Sequence, residues 1–181
     1  VIRIPRKMTI EQLNRLSEAD ASLAFKQCCG ADEWVDHMVH ARPYDSLEEI
    51  VETSDNAWEG CDVDVYEEAS RSLPRLGDAD ELAGLRAAGQ GLDQLGRRWA
   101  ALELKGMEGS SPGLMAQLAE AHAAYEENFG HRFVVNATGK SGEELLALMQ
   151  ARLKNDPEDE IMIAAEEQNK ITKLRLKKLL A

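Results

Sequence analysis

This sequence predicts an all-α fold, and three observations carry that expectation. Aromatic residues make up only 5% of the chain. No run alternates apolar and polar residues for long enough to build a sheet, and the segment starts carry helix-capping signatures instead. Thr9 followed by Gln12 has the capping-box spacing, in which the two side chains satisfy each other's loose N–H groups, and opens a helix near 9–15. Helices near 17–28 and 31–40 follow. Ser46 with Glu49 repeats the box and opens 46–53, and further helices are expected near 62–71, 78–87, 92–105 and 111–128. Ser141 with Glu144 opens 141–153. Asp156 before Pro157 is a cap with proline at the first helical position, and it starts the last helix, 157–180. The acids Glu158, Asp159 and Glu160 match the positive end of that helix dipole, and Lys173, Lys177 and Lys178 match the other end.

Two stretches resist a helical reading. Ser72 to Asp78 contains Pro74 and Gly77 and is expected to turn. Phe129 to Ala137 is rich in β-branched and aromatic residues and is expected to be extended. Its amides then have no intrahelical partner. They must bond something, either neighbouring backbone or a planar polar ligand.

At 181 residues the chain suits one domain, expected over 8–181. Residues 1–7 are read as an extension, vector-derived residues or a misassigned start. A formal net charge of -12 argues against nucleic acid as a partner, since phosphate binding needs a basic face. Cys28, Cys29 and Cys61 give an odd count, read as reduced thiols in a cytoplasmic protein. No apolar run is long enough for a membrane span, so no membrane partner is expected. There is no phosphate loop, dinucleotide fingerprint, Gly-x-Ser-x-Gly elbow or Cys-x-x-Cys. No cofactor or metal is implied. His37 and His40 share one helix face at i, i+3, but no further metal ligand goes with them.

Arg175 is the most informative residue. At about 100° per residue it falls in one sector of the last helix with Ile161, Ala164, Ala165, Gln168, Ile171 and Thr172. A guanidinium keeps its proton and is costly to bury unpaired. Unless it snorkels to the surface, an anion must meet it inside the fold, either a protein carboxylate or a ligand.

The residues around it carry a resemblance. Phe129-Gly130, Phe133-Val134-Val135, Ala137-Thr138-Gly139-Lys140-Ser141, Arg152-Leu153, Asn155-Asp156, Glu160, Glu166 to Thr172 and Leu174-Arg175-Leu176 occur in the order found in ureidoimidazoline (OHCU) decarboxylases. Phe25, Cys28-Cys29-Gly30, Trp34-Val35, Met38 and Ala41-Arg42-Pro43-Tyr44 agree in the first half. From Met8 onward the chain resembles that family, whose members act in the conversion of urate to (S)-allantoin. The resemblance implies a multi-helix bundle, a small-molecule substrate, a cofactor-free lyase and a homodimer. It implies Glu103 as a catalytic residue, within Trp99-Ala100-Ala101-Leu102-Glu103, and Arg175 as a substrate contact. It also implies that the backbone of Phe133, Val135 and Ala137 grips the substrate ring, and that the turn at Pro74 walls the site.

The chain departs from the family pattern at two of these places. The family turn reads His-Pro-x-Ile-Gly, with the histidine as acid or base, and here it is Leu73-Pro74-Arg75-Leu76-Gly77. The family glutamate is followed by glutamine, and here by Leu104. Without its amide neighbour, Glu103 is expected in a drier pocket, with a raised pKa unless Arg175 opposes that. His131, beside the extended segment, is the candidate for a relocated acid-base. Three readings stay open: a decarboxylase on a different carboxylated nitrogen heterocycle, an inactive relative that binds a ligand or protein, and a genuine OHCU decarboxylase using a relocated acid-base.

Overall fold

The computed structural model describes residues 7–181. Among them are ten α-helices, and no strand beyond an isolated bridge between Met8 and Leu180. Residues 1–6, most of the expected extension, lie outside the described residues. The helices are α1 (Ile10–Arg15), α2 (Glu18–Cys28), α3 (Asp32–His40), α4 (Leu47–Glu59), α5 (Val63–Ser70), α6 (Ala79–Arg86), α7 (Leu95–Glu103), α8 (Pro112–Phe129), α9 (Gly142–Arg152) and α10 (Pro157–Leu179). No helix among the described residues is long and apolar enough to cross a membrane.

The predicted capping box at Thr9 forms in both directions, with Gln12 Oε1 accepting from the Thr9 amide at 2.9 Å. At Ser46 the cap is one-sided. Its hydroxyl accepts from the Glu49 amide, while Glu49 reaches one residue further back to the Asp45 amide at 2.6 Å.

Three boundaries differ from expectation. α4 runs six residues beyond 53, because Ile50, Ser54 and Trp58 form a buried i, i+4, i+8 stripe whose middle member is polar. Ser54 is tolerated inside because it accepts from Trp34 Nε1, and Trp58 Nε1 donates to the Ala165 carbonyl at 3.0 Å. The expected helix 92–105 is broken by 3₁₀ turns at Leu92–Gln94 and Lys105–Met107. Phe129 belongs to α8, which ends at Gly130 with φ +79°.

Two apolar cores form, with α10 and α7 running along their seam. The first gathers Phe25, Trp34, Met38, Ile50 and Trp58 from α2, α3 and α4 with Leu176 and Leu179 from α10. The second gathers Leu82, Leu104, Leu118, Tyr125, Phe133, Leu145 and Met149. α7 feeds both, Leu95 and Trp99 into the first and Ala100 into the second. Between them lies a four-residue cluster of Leu73, Val134, Ala164 and Ile171.

Two glycines set close approaches in the second core. Gly77, with φ +86°, lies against the Leu118–Ala119 backbone of α8, where a Cβ would overlap the Ala119 amide. Gly106, in the 3₁₀ turn after α7, presses on the Lys140 carbonyl, which a Cβ would also overlap. Because both partners at Gly106 are backbone, no side chain can swing aside. Gly106→Ala is expected to lower stability by about 1–3 kcal/mol, the usual range for overpacking. Thermal unfolding checks this, and an unchanged melting temperature would show that the 137–141 loop can simply move away.

Candidate functional site

The turn after α5 is held by side chains from three other places. Arg132 Nη1 donates to the Leu73 carbonyl at 2.5 Å, Glu81 Oε2 accepts from the Arg75 amide at 3.1 Å, and His122 Nδ1 accepts from the Leu76 amide at 3.1 Å. His122 can do so because it is neutral. Burial drives its pKa down from 6.5 to about 4, outweighing the opposing charge of Glu126. The turn thus presents Leu73 and Pro74 inward as a fixed wall.

α7 and α10 meet across the seam through Glu103 and Arg175. Arg175 Nη2 and Nε donate to Glu103 Oε1 and Oε2 at 2.7 and 3.1 Å, a two-pronged pair that only arginine can make. Its Nη1 donates to the Gln27 carbonyl on α2 at 3.0 Å. Both residues are buried, at 8% and 5% exposure, so the anion required by the Arg175 stripe is a protein carboxylate. Lys178 Nζ adds a third contact, 3.3 Å from Glu103 Oε2. Burial pushes the Glu103 pKa up, but Arg175 and Lys178 together outweigh it and hold the carboxyl below its ordinary range. Glu103 is therefore ionised at neutral pH, and the expected rise for a drier pocket is cancelled by its two cations.

The segment from Arg132 to Ala137 is extended and is gripped from behind. Arg152 Nη1 donates to the Val134 carbonyl at 2.6 Å, and its guanidinium lies 4.3 Å above the Phe133 ring. Arg152 is charged against Glu160, Nε to Oε1 at 2.7 Å. The Glu160 carboxylate, fully buried, also accepts from Tyr125 Oη at 2.5 Å and from Asn155 Nδ2 at 3.0 Å. Glu160 is expected to match the positive end of the α10 dipole, and Ile161 to fall in the stripe with Arg175. Glu160 is inside and Ile161 only half-buried, since the pairing with Arg152 fixes the rotation of that turn. Further along, the Asn136 amide donates to Glu167 Oε1 and its carbonyl accepts from Lys140 Nζ. Among the described residues the amides of Val135 and Ala137 have no protein partner.

These three structures line one small cavity that opens to solvent. Of the residues singled out from sequence, Leu73, Pro74, Glu103, Leu104, Phe133, Val135, Ala137 and Arg175 line it. Leu76, Ala100 and Ile171 line it too; each falls within a turn, motif or stripe noted in the sequence, but none stood out there as a site residue. His131 is a correction. It does not line the cavity, because the chain bends at Gly130 and turns its ring back onto Phe129, stacked at 6.1 Å, and onto the edge of Tyr125. Among the described residues, Glu103 and Arg175 are the only ionisable side chains in the lining.

The chain is similar to known proteins. A family model described as OHCU decarboxylase matches residues 14–177. The chain is 30% identical over 155 residues to the uric acid degradation bifunctional protein TTL of Arabidopsis thaliana, covering 86% of this chain and 46% of that protein. It is 38% identical over 68 residues to the 2-oxo-4-hydroxy-4-carboxy-5-ureidoimidazoline decarboxylase of Amia calva, covering 38% of this chain and 39% of that one. The chain thus spans less than half the length of these curated relatives. An OHCU decarboxylase crystallised in the presence of (S)-allantoin superposes with a TM-score of 0.66 at 27% identity, over 86% of this chain and 96% of that one. An (S)-allantoin synthase gives a TM-score of 0.64 at 14% identity, over 95% and 54%, a likeness in fold alone.

The depressed pKa of His122 makes stability depend on pH. Unfolded, the ring titrates near 6.5; folded, it resists protonation until about 4. Its contribution is complete above 6.5 and is lost as pH falls from there through 4, on the order of 3 kcal/mol in all. Urea unfolding across that window should show this fall, and His122→Asn, which keeps an acceptor for Leu76, should flatten it. An equal slope in both proteins would assign the acid sensitivity elsewhere.

Proposed function

The chain belongs to the OHCU decarboxylase family, and we propose that residues 8–181 form a cofactor-independent decarboxylase domain acting on a small carboxylated nitrogen heterocycle, with its substrate or activity changed from that of urate breakdown. The observation that carries this reading is that Glu103, Arg175, Val135 and Ala137 line one small cavity, the last two with amides that have no protein partner among the described residues. A planar ring with carbonyl or ring-nitrogen acceptors suits those amides. A carboxylate suits the cationic side of the cavity.

The reaction asks little of the protein. The bond from the ring to the carboxylate breaks, its electron pair passes into the electron-withdrawing ring, carbon dioxide leaves, and the ring takes up one proton. Arg175 would fix the anion, and the 133–137 backbone would hold the ring so that one face is protonated. Glu103, ionised at neutral pH, would orient the substrate or relay a proton from solvent. Leu73 and Leu104 supply neither a proton nor a hydrogen bond, which supports a substrate with less polar surface at those walls. A homodimer and a cytoplasmic setting go with this reading.

A second reading has its own observation. Both Glu103 oxygens are engaged by Arg175 and Lys178, and the lining holds no other acid or base. That favours a family scaffold retained for binding alone.

The activity test uses the family substrate made freshly from urate, with allantoin formation followed by circular dichroism. The unmodified chain is expected to give little acceleration and little chiral excess. Leu73→His with Leu104→Gln should raise the rate by about 10² or more, the ordinary worth of a positioned acid-base group. Fast, stereospecific turnover by the unmodified chain would overturn the proposed change of substrate or activity. A double variant that neither turns over nor binds a carboxylated heterocycle would favour the binding scaffold.

A further inference from the structure

An arginine closed onto a glutamate has little net charge to offer a ligand. Arg175 spends Nε and Nη2 on Glu103 and Nη1 on the Gln27 carbonyl. An anion entering past that pair would meet balanced charges, in a protein whose net charge of -12 repels it. Lys178 breaks the balance. Its ammonium lies 3.3 Å from Glu103 Oε2, the same oxygen that Arg175 Nε reaches at 3.1 Å. Glu103 is its one carboxylate partner among the described residues. Two cations on one carboxylate leave one positive charge at the cavity wall.

The placement of the lysine fits that role. It lies one turn beyond Arg175 on α10, where its side chain is 32% exposed against 7% for Arg175. It approaches the carboxylate from outside and does not line the cavity. Among the described residues the charged or titratable groups acting on Glu103 are Arg175 and Lys178 from α10 and Cys28 from α2, and no other cation is among them. The neighbouring walls, Leu73, Leu104 and Ile171, are apolar, and an unmatched charge reaches further through them than through water.

We propose that Lys178 is the specificity-determining residue of this cavity, supplying the unmatched positive charge that selects an anionic heterocycle over its neutral analogue. This rests on the reading of the cavity as the ligand site. Lys178 acts through Glu103 and is a positioning residue, with no contact to the reacting atoms required. Without it Arg175 and Glu103 would form a neutral pair, and the Glu103 carboxyl would lose one of the two cations that keep it ionised.

The test pairs a ligand measurement with one that needs no ligand. Calorimetry on the full chain would compare imidazole-4-carboxylate with imidazole-4-carboxamide, two rings of equal size and different charge. Lys178→Gln should weaken the carboxylate about tenfold, leave the carboxamide unchanged and reduce the salt dependence of carboxylate binding. Lys177→Gln, which removes the same charge from the exposed face, should change neither. Carbon-13 titration of the Glu103 carboxyl should give a higher midpoint in Lys178→Gln than in the unmodified chain. Equal loss for both ligands, equal loss in Lys177→Gln, or an unmoved Glu103 midpoint each overturn the proposal. Failure of the unmodified chain to bind either ring counts against the cavity reading, and with it against selection by Lys178, even if the Glu103 midpoint moves.

Discussion

The pairing of Glu103 with Arg175 is the constraint on which the site depends. It joins the end of α7 to the C-terminal part of α10 across the seam of two apolar cores, and the Gln27 carbonyl adds α2 to the same guanidinium. Gln27 is itself tied to α7, its Oε1 accepting from the Gly96 amide at 3.0 Å. Three helices are thus fixed in rotation about one buried charge pair. Such a pair gives little net stability, because desolvation consumes most of its attraction. Breaking one side would leave an uncompensated charge in the seam, typically a loss of about 3–5 kcal/mol. Its contribution is therefore to define which face each helix turns inward.

A second buried pair does the same for the opposite wall. Arg152 and Glu160 close the short connection between α9 and α10, and the free prong of the arginine holds the Val134 carbonyl. An irregular segment with no sheet or helix around it would otherwise have many conformations to lose. Gripping one carbonyl in its middle and stacking the same guanidinium on Phe133 fixes which side chains face the cavity. The turn at Leu73 to Gly77 is pinned at Leu73, Arg75 and Leu76 by Arg132, Glu81 and His122. Two of the cavity's walls are irregular backbone, held by charged or polar side chains rather than by secondary structure.

That division explains what the sequence could reveal. Helices announce themselves through local rules, so the helix starts at Thr9, Ser141 and Asp156 and most of the stripe through Arg175 were legible one segment at a time, although the Asp156 side chain makes no cap bond. Ser54 hid the second half of α4, because a buried serine satisfied by Trp34 is indistinguishable by composition from an exposed one. The burial of Glu160 was hidden for the same reason: an acid in the first turn of a helix reads as a dipole match unless its distant partners are known. His131 looked close to the site because it is close in sequence. Periodicity cannot register a bend at Gly130 that turns the ring away. The lining residues were found through the family resemblance, since contacts such as Glu103 to Arg175 span 72 positions and leave no periodic trace.

The leucines at 73 and 104 bear directly on the chemistry proposed for the cavity. A carboxylate loses its localised charge as carbon dioxide departs, so a poorly solvating wall disfavours the ground state more than the charge-dispersed transition state. Replacing an imidazole and an amide by alkyl groups removes proton donors but dries the site in which that charge disperses. The same dryness strengthens the field of Arg175 and Lys178 on the bound anion, and too strong a grip would hold the carboxylate in place. Glu103 moderates that grip. In the proposed reading, set between two cations, it leaves a single positive charge to draw an anionic heterocycle into an acidic protein while half of the cationic charge is already satisfied. A cavity with Arg175 and Lys178 but no carboxylate would bind the same anion more tightly and resist the departure of carbon dioxide. In the proposed reading Glu103 thus aids the reaction first by limiting ground-state stabilisation, whatever part it plays in the later proton transfer.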